Sequence, residues 1–249
     1  MPAARPRSIA LLLFMLLAAF AAWAWRAGAI TVPDRWNPWA PLRIDDTPNL
    51  LTRYKLERAS TDRDACRTAL AQAGMRLSPL EDRSTGAGCG FDHAYLVERS
   101  SVGVGTPFAL SCRTALSLAM WERHVLQDAA QSHLGTRVAR IEHLGSYACR
   151  NLYGRAEGRR SRHATADALD IAGFVLEDGR RVRVLGDWPP PAAQAGAPTG
   201  HGDAQAEAAF LRAVHEGACA HFDAVLGPDY NAAHADHFHF DRGGGRICR

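Results

Sequence analysis

The chain has 249 residues, a formal net charge of +3 at pH 7 and 22% charged residues. A charge this small and this dispersed argues against a nucleic-acid partner, and no nucleotide partner is expected. There are no heptads, internal repeats or long charge runs, so coiled coils and solenoids are excluded.

Arg5 and Arg7 precede an uncharged run from Ile9 to Trp25, which Arg26 closes. The run is at the lower limit for a membrane-spanning helix and slightly longer than the usual core of a signal peptide. Ala22-Trp23-Ala24 followed by the bulky Trp25 makes a poor cleavage site, so residues 1–30 read as an uncleaved anchor. A removed signal is the alternative. Basic residues ahead of the run favour a cytoplasmic N-terminus and an exported body.

All six cysteines (Cys66, Cys89, Cys112, Cys149, Cys219 and Cys248) follow the apolar run. An even number in an exported chain reads as a disulfide framework. None are spaced as CxxC, which argues against a thiolate zinc site. Joining neighbours in sequence gives Cys66–Cys89, Cys112–Cys149 and Cys219–Cys248 as the expected pairs.

Residues 31–59 are expected to be an extended tether, since residues 31–50 alone hold four prolines. The remaining residues, 60–249, suit one domain. Thr61 opens a helical stretch that Gly74 closes, and residues 88–105 read as strands. Ser111 is the expected cap of an amphipathic helix ending near Gly135, and residues 137–150 alternate as a strand. Residues 168–176 and 180–185, joined through Asp178-Gly179, form a hairpin signal. Residues 189–202 are low in complexity and read as a loop; Phe210, Leu211 and Val214 mark the inward side of the next helix. "HFHFD" closes the pattern as a strand, giving an α+β fold with a small antiparallel sheet and helices packed on one side.

Two stretches carry chemistry: "SRHATADALD" (161–170) and "HADHFHFD" (234–241). A catalytic zinc ion needs about three nitrogen or oxygen ligands and an open position for water. His163, Asp170 and His239 supply two imidazoles and one carboxylate, leaving a bound water acidic enough to ionise near neutral pH. With 11 histidines present, chance alone gives about 0.5 HxH pairs, so the pair His237/His239 is weak evidence by itself. The joint pattern carries the reading.

That pattern resembles the LAS metallopeptidases, whose SxHxxGxAxD element is matched by Ser161, His163, Ala168 and Asp170, with Ala166 where glycine is usual. The chain is still more similar to the bacterial extensin-like C-terminal domain family, through Ser111-Cys112, "SYACR" (146–150), residues 161–174, residues 222–241 and the closing Cys248-Arg249. Arg162 stands where that family commonly has glutamate. The resemblance implies a disulfide-stapled metallopeptidase-like domain with one zinc ion on His163, Asp170 and His239. Asp236 is the preferred general base, with His237 its competitor or an oxyanion donor, and Arg150 would hold a substrate carboxylate or developing charge. His234 would support the site without binding metal. Trp121 and Trp188 are expected in the core rather than in a sugar groove.

The implied activity is zinc-dependent cleavage of an amide bond in peptidoglycan stem or cross-link peptides. The enzyme would face the periplasm from the inner membrane. A non-catalytic cell-wall binding or scaffolding module is the alternative. A phosphodiester hydrolase is less favoured, because no second carboxylate-rich ligand set is visible for a second metal.

Overall fold

The computed structural model describes residues 6–29, 31–189 and 202–249. The chain divides into two units, Met1–Ala40 and Pro41–Arg249. In the first, α1 (Pro6–Arg26) contains a segment, Ile9–Arg26, long and apolar enough to cross a membrane. Residues 190–201 of the expected loop lie outside the described residues.

The second unit starts earlier than expected. Residues 41–59 do not form a tether: Leu42 and Ile44 are buried, and α2 (Thr52–Ser60) buries Leu56 in the core. The preceding stretch is not extended either, since Asp34–Trp36 winds as a 3-10 turn, and the apolar side chains after Pro41 have a surface to cover and are drawn onto it. The Ile44 carbonyl is also bonded to His124 Nε2 at 2.8 Å.

Helix α3 (Arg63–Leu70) is capped by Asp62 rather than Thr61, the carboxylate accepting from the backbone N–H groups of Asp64 and Ala65. Three strands, β1 (Arg76–Leu80), β4 (Ala94–Arg99) and β5 (Phe108–Ser111), pair in the order β1-β4-β5, and β2 (Arg83–Gly86) pairs with β3 (Cys89–Phe91). Helices α4 (Cys112–Trp121) and α5 (Gln127–Leu134) are joined by a π turn over Glu122–Leu126, and Gly135 ends the run at φ +68°. Ser111 has the extended backbone of a cap, yet its hydroxyl is spent on Asp167 at 2.6 Å.

The site is built on a six-stranded sheet formed by β6 (Val138–Gly145), β7 (Ala168–Leu176), β8 (Arg181–Arg183), β9 (Ala224–Leu226), β10 (Phe238–Asp241) and β11 (Ile247–Cys248). The order is β11-β9-β10-β7-β6, with β8 also on β7. All pairings are antiparallel except β11 with β9, so the expected antiparallel sheet gains one parallel edge. The β7–β8 hairpin turns at Asp178-Gly179, where Gly179 has φ +89°. A short turn, α6 (Val184–Asp187), leaves β8, and α7 (Gly202–Ala218) follows the undescribed residues.

Side chains alternate across a strand. Phe238 and Phe240 of β10 therefore point to one face, and His239 and Asp241 to the other. The phenylalanine face meets the helices: Trp121 of α4 stacks edge-on against Phe240 at 5.4 Å and donates from Nε1 to the Val214 carbonyl of α7. Phe210 of α7 packs on Phe174 of β7 at 5.1 Å, and Phe210, Leu211 and Val214 are all buried. Apolar burial on that face frees the opposite face for polar groups.

The disulfides are Cys66–Cys112, Cys89–Cys149 and Cys219–Cys248. Two of the three expected pairs are thus corrected. Tertiary packing decides them: Cys66 lies on α3 beside the first residue of α4, and Cys89 lies on β3 beside the segment after β6. Three disulfides place the body in an oxidising, extracytoplasmic environment.

Candidate metal centre

Asp170 and His239 face each other directly in the antiparallel register of β7 and β10. Directly opposed residues project to the same side of a sheet. Here the Asp170 carboxylate oxygen lies 2.8 Å from His239 Nδ1. His163 joins them from a 3-10 turn, Arg162–Thr165, which Ser161 caps by accepting from the His163 backbone N–H. His163 Nε2 stands 3.1 Å from Asp170 Oδ1 and 3.1 Å from His239 Nδ1. All three side chains are buried, and their ligand atoms fall within 4.8 Å of one another.

Outer partners decide which ring nitrogens look inward. His163 Nδ1 lies 3.1 Å from the Ser146 carbonyl, which can only accept, so Nδ1 carries the proton and Nε2 is bare. His239 Nε2 lies 3.2 Å from Asp241 Oδ2, so it donates there and leaves Nδ1 bare toward Asp170. Two imidazole lone pairs and a carboxylate oxygen thus converge on one point. Such a set of acceptors needs a shared cation or proton between its members, and its donor chemistry fits a zinc ion.

Without metal, a proton supplies that charge. Burial lowers the His239 pKa, but hydrogen bonds to Asp170 and Asp241 more than offset it and push it up to about 9. Burial raises the Asp170 pKa, and the bonds from His163 and His239 overcome it, holding the carboxyl well below its usual range.

His237 precedes β10 and faces the same cluster, its Nε2 3.7 Å from Asp170 Oδ1. Its Nδ1 is 2.8 Å from Asp236 Oδ1, which fixes the tautomer and leaves Nε2 bare. The Asp236 side chain is itself more than half exposed and does not line the cleft over the cluster. That cleft has a volume of about 610 Å³ and is lined by His237, His239, Asp170 and Arg150, among others. Arg150 is exposed, and its carbonyl accepts from the Ser161 N–H at 3.0 Å. His234 is buried against His237 and His239 and bonded to Asn231; burial first, then its two histidine neighbours, lower its pKa to about 4. Trp121 is fully buried and Trp188 packs on Phe238, so neither tryptophan lines the cleft.

Ala166, where the pattern usually has glycine, is buried in the left-handed conformation at φ +54°. An L-residue pays about 1–2 kcal/mol there, which is the physical reason for glycine at this point. The turn is held by its neighbours: the Ala166 N–H donates to the His163 carbonyl, and its own carbonyl accepts from Ser111. Asp241 is the supporting residue that motif reasoning passed over. It stands two after His239 on the same strand, a spacing that places both on one face.

A second grouping, Cys66, His93 and Cys112, offers no thiolates, because its sulfurs are joined in a disulfide. No curated protein and no solved structure matches the chain. The family described as "Extensin-like protein C-terminus" matches residues 64–249, and the chain belongs to that family.

Proposed function

We propose that the chain is a zinc-dependent hydrolase that cuts an amide bond in peptidoglycan peptides, anchored in the inner membrane by α1 with its body in the periplasm. The observation that carries the reading is the inward convergence of bare His163 Nε2, bare His239 Nδ1 and the Asp170 carboxylate at the floor of an open cleft. A zinc ion bound there would polarise the scissile carbonyl and acidify a water.

The protein's own groups supply the rest. His237 Nε2 accepts the proton of the attacking water and returns it to the leaving amine, because Asp236 holds Nδ1 protonated on the far side of the ring. Asp236 acts through His237 rather than as the base, since it is turned away from the cleft. Arg150 forms no ion pair with a described residue and remains available for a substrate carboxylate or the developing oxyanion.

The test combines metal analysis with hydrolysis. The full chain, produced with its disulfides, should hold one zinc that a His239→Ala variant loses, and should cleave stem peptides in a chelator-sensitive way. A folded chain that binds no zinc in either form would sink the proposal. Bound zinc with no cleavage of any stem or cross-link peptide would turn it toward a cell-wall binding module.

A further inference from the structure

The small net charge conceals a local concentration. Five arginines, Arg150, Arg159, Arg160, Arg162 and Arg246, line the cleft over the ligand cluster. Among the described residues, the carboxylates that line the cleft are Asp170, within the cluster, and Asp241, engaged by His239. None of the five arginines forms an ion pair with a described residue. Several arginines elsewhere are matched with acids, among them Arg53 with Asp223, Arg113 with Asp167 and Arg242 with Glu57.

The arrangement is built. Residues 150–161 close on themselves as an arm, the Ser161 N–H donating to the Arg150 carbonyl and the Leu152 N–H to the Arg159 carbonyl, both at 3.0 Å. The Asn151 amide donates to the carbonyls of Arg155 and Ala156, and the Cys89–Cys149 disulfide clamps the base of the arm. Arg160 is oriented without being neutralised, its Nε donating to the Ala87 carbonyl and Nη1 to the Asn151 side-chain oxygen, each at 3.0 Å. Its stem crosses Gly88, where a Cβ would come within 3.2 Å of it. Arg162, half-buried, reaches the opposite wall: its Nε lies 3.9 Å from where a Cβ on Gly244 would stand. Arg246 comes from that wall.

Guanidinium groups stay charged at any accessible pH and match carboxylates in a planar, two-point geometry. Clustered without ion-pair partners beside a candidate divalent-metal site, they repel one another until an anion enters, and they steer anions toward the cleft. We propose that Arg162 and Arg246, with Arg159 and Arg160 on the rim, form an anion subsite beyond Arg150. It selects peptides carrying at least two free carboxylates. The peptide nature of the ligand rests on the amidase reading; the anion subsite does not.

Binding to the metal-free full chain tests this apart from hydrolysis. The probes are three N-acetylated tetrapeptides of equal length bearing zero, one or two carboxylates. Each added carboxylate should tighten Kd about tenfold, and the gain should shrink as salt is raised. An Arg162→Gln/Arg246→Gln double variant should lose the step from one carboxylate to two while binding the neutral peptide unchanged. A Kd indifferent to carboxylate number, or grading unaffected by the double variant, overturns the subsite. A short polyphosphate of matched charge that binds more tightly than the dicarboxylate peptide overturns the peptide assignment. Graded binding in a chain that, given zinc, hydrolyses nothing leaves the subsite standing and removes the amidase reading.

Discussion

Asp241→Ala tests the architecture of the proposed metal centre more sharply than removal of a ligand. The Asp241 carboxylate receives the proton of His239 Nε2 at 3.2 Å and so aims the bare Nδ1 at Asp170. Losing such an outer partner weakens zinc binding about 10–100-fold. The same carboxylate has an opposing effect, because it helps raise the His239 pKa to about 9. At about pH 7.5, zinc must displace that proton, which weakens apparent binding about 30-fold. Removing Asp241 relieves part of this competition while it costs orientation, so the two effects oppose each other near neutrality. At about pH 9.5 the proton has left both proteins and only the lost orientation is felt. Zinc titrations of the full chain in a metal buffer should therefore show a 10–100-fold deficit for the variant at the higher pH and a much smaller one at the lower. A folded variant with unchanged affinity at about pH 9.5, or a deficit constant across the range, would show that Asp241 does not aim His239.

His237→Ala should retain zinc and lose about 10²–10⁴ of the amide hydrolysis rate, whereas Asp236→Asn should lose less. Equal losses from the two, measured as kcat on one stem peptide, would make Asp236 the base. His215 and His221 are buried, and burial lowers each pKa to about 4, with His124 and Arg242 adding to the effect at His221. Unfolded histidine titrates near 6.5, so the unfolded chain binds protons that the folded chain refuses. Stability should be full above about pH 6.5 and fall by up to about 3 kcal/mol per histidine as pH drops toward 4. A His221→Gln variant should show a shallower decline in Tm over that window, and an identical slope would count against it. Replacing Cys66 and Cys112 by serine opens a covalent loop of 46 residues and should cost about 4 kcal/mol in denaturant unfolding. A loss below about 1 kcal/mol would show that packing of α3 on α4 holds the fold without the bond.

Much of this protein is determined by short-range pattern. The β7–β8 hairpin follows from alternation broken at Asp178-Gly179, and the long helix from Ser111 to Gly135 follows from apolar periodicity with a glycine stop. His163, Asp170 and His239 were nameable because their neighbours match a known element, and the structure brings the three together across 76 residues of chain.

What the tertiary structure decided depends on contacts that no local pattern encodes. Cys66 pairs with Cys112 because two helices pack, not because of spacing. Residues 41–59 leave the expected tether because Leu42, Ile44 and Leu56 find a surface to cover. Asp236, the base expected from its place three residues before His239, and His237 are adjacent in sequence, yet only the imidazole is turned into the cleft. Charge followed the same course. Arginines that look dispersed along 249 residues converge because one arm closes on itself at Arg150–Ser161 and Arg246 arrives from the other wall. Sequence determines which groups a chain can offer; distance between them is a property of the folded backbone alone.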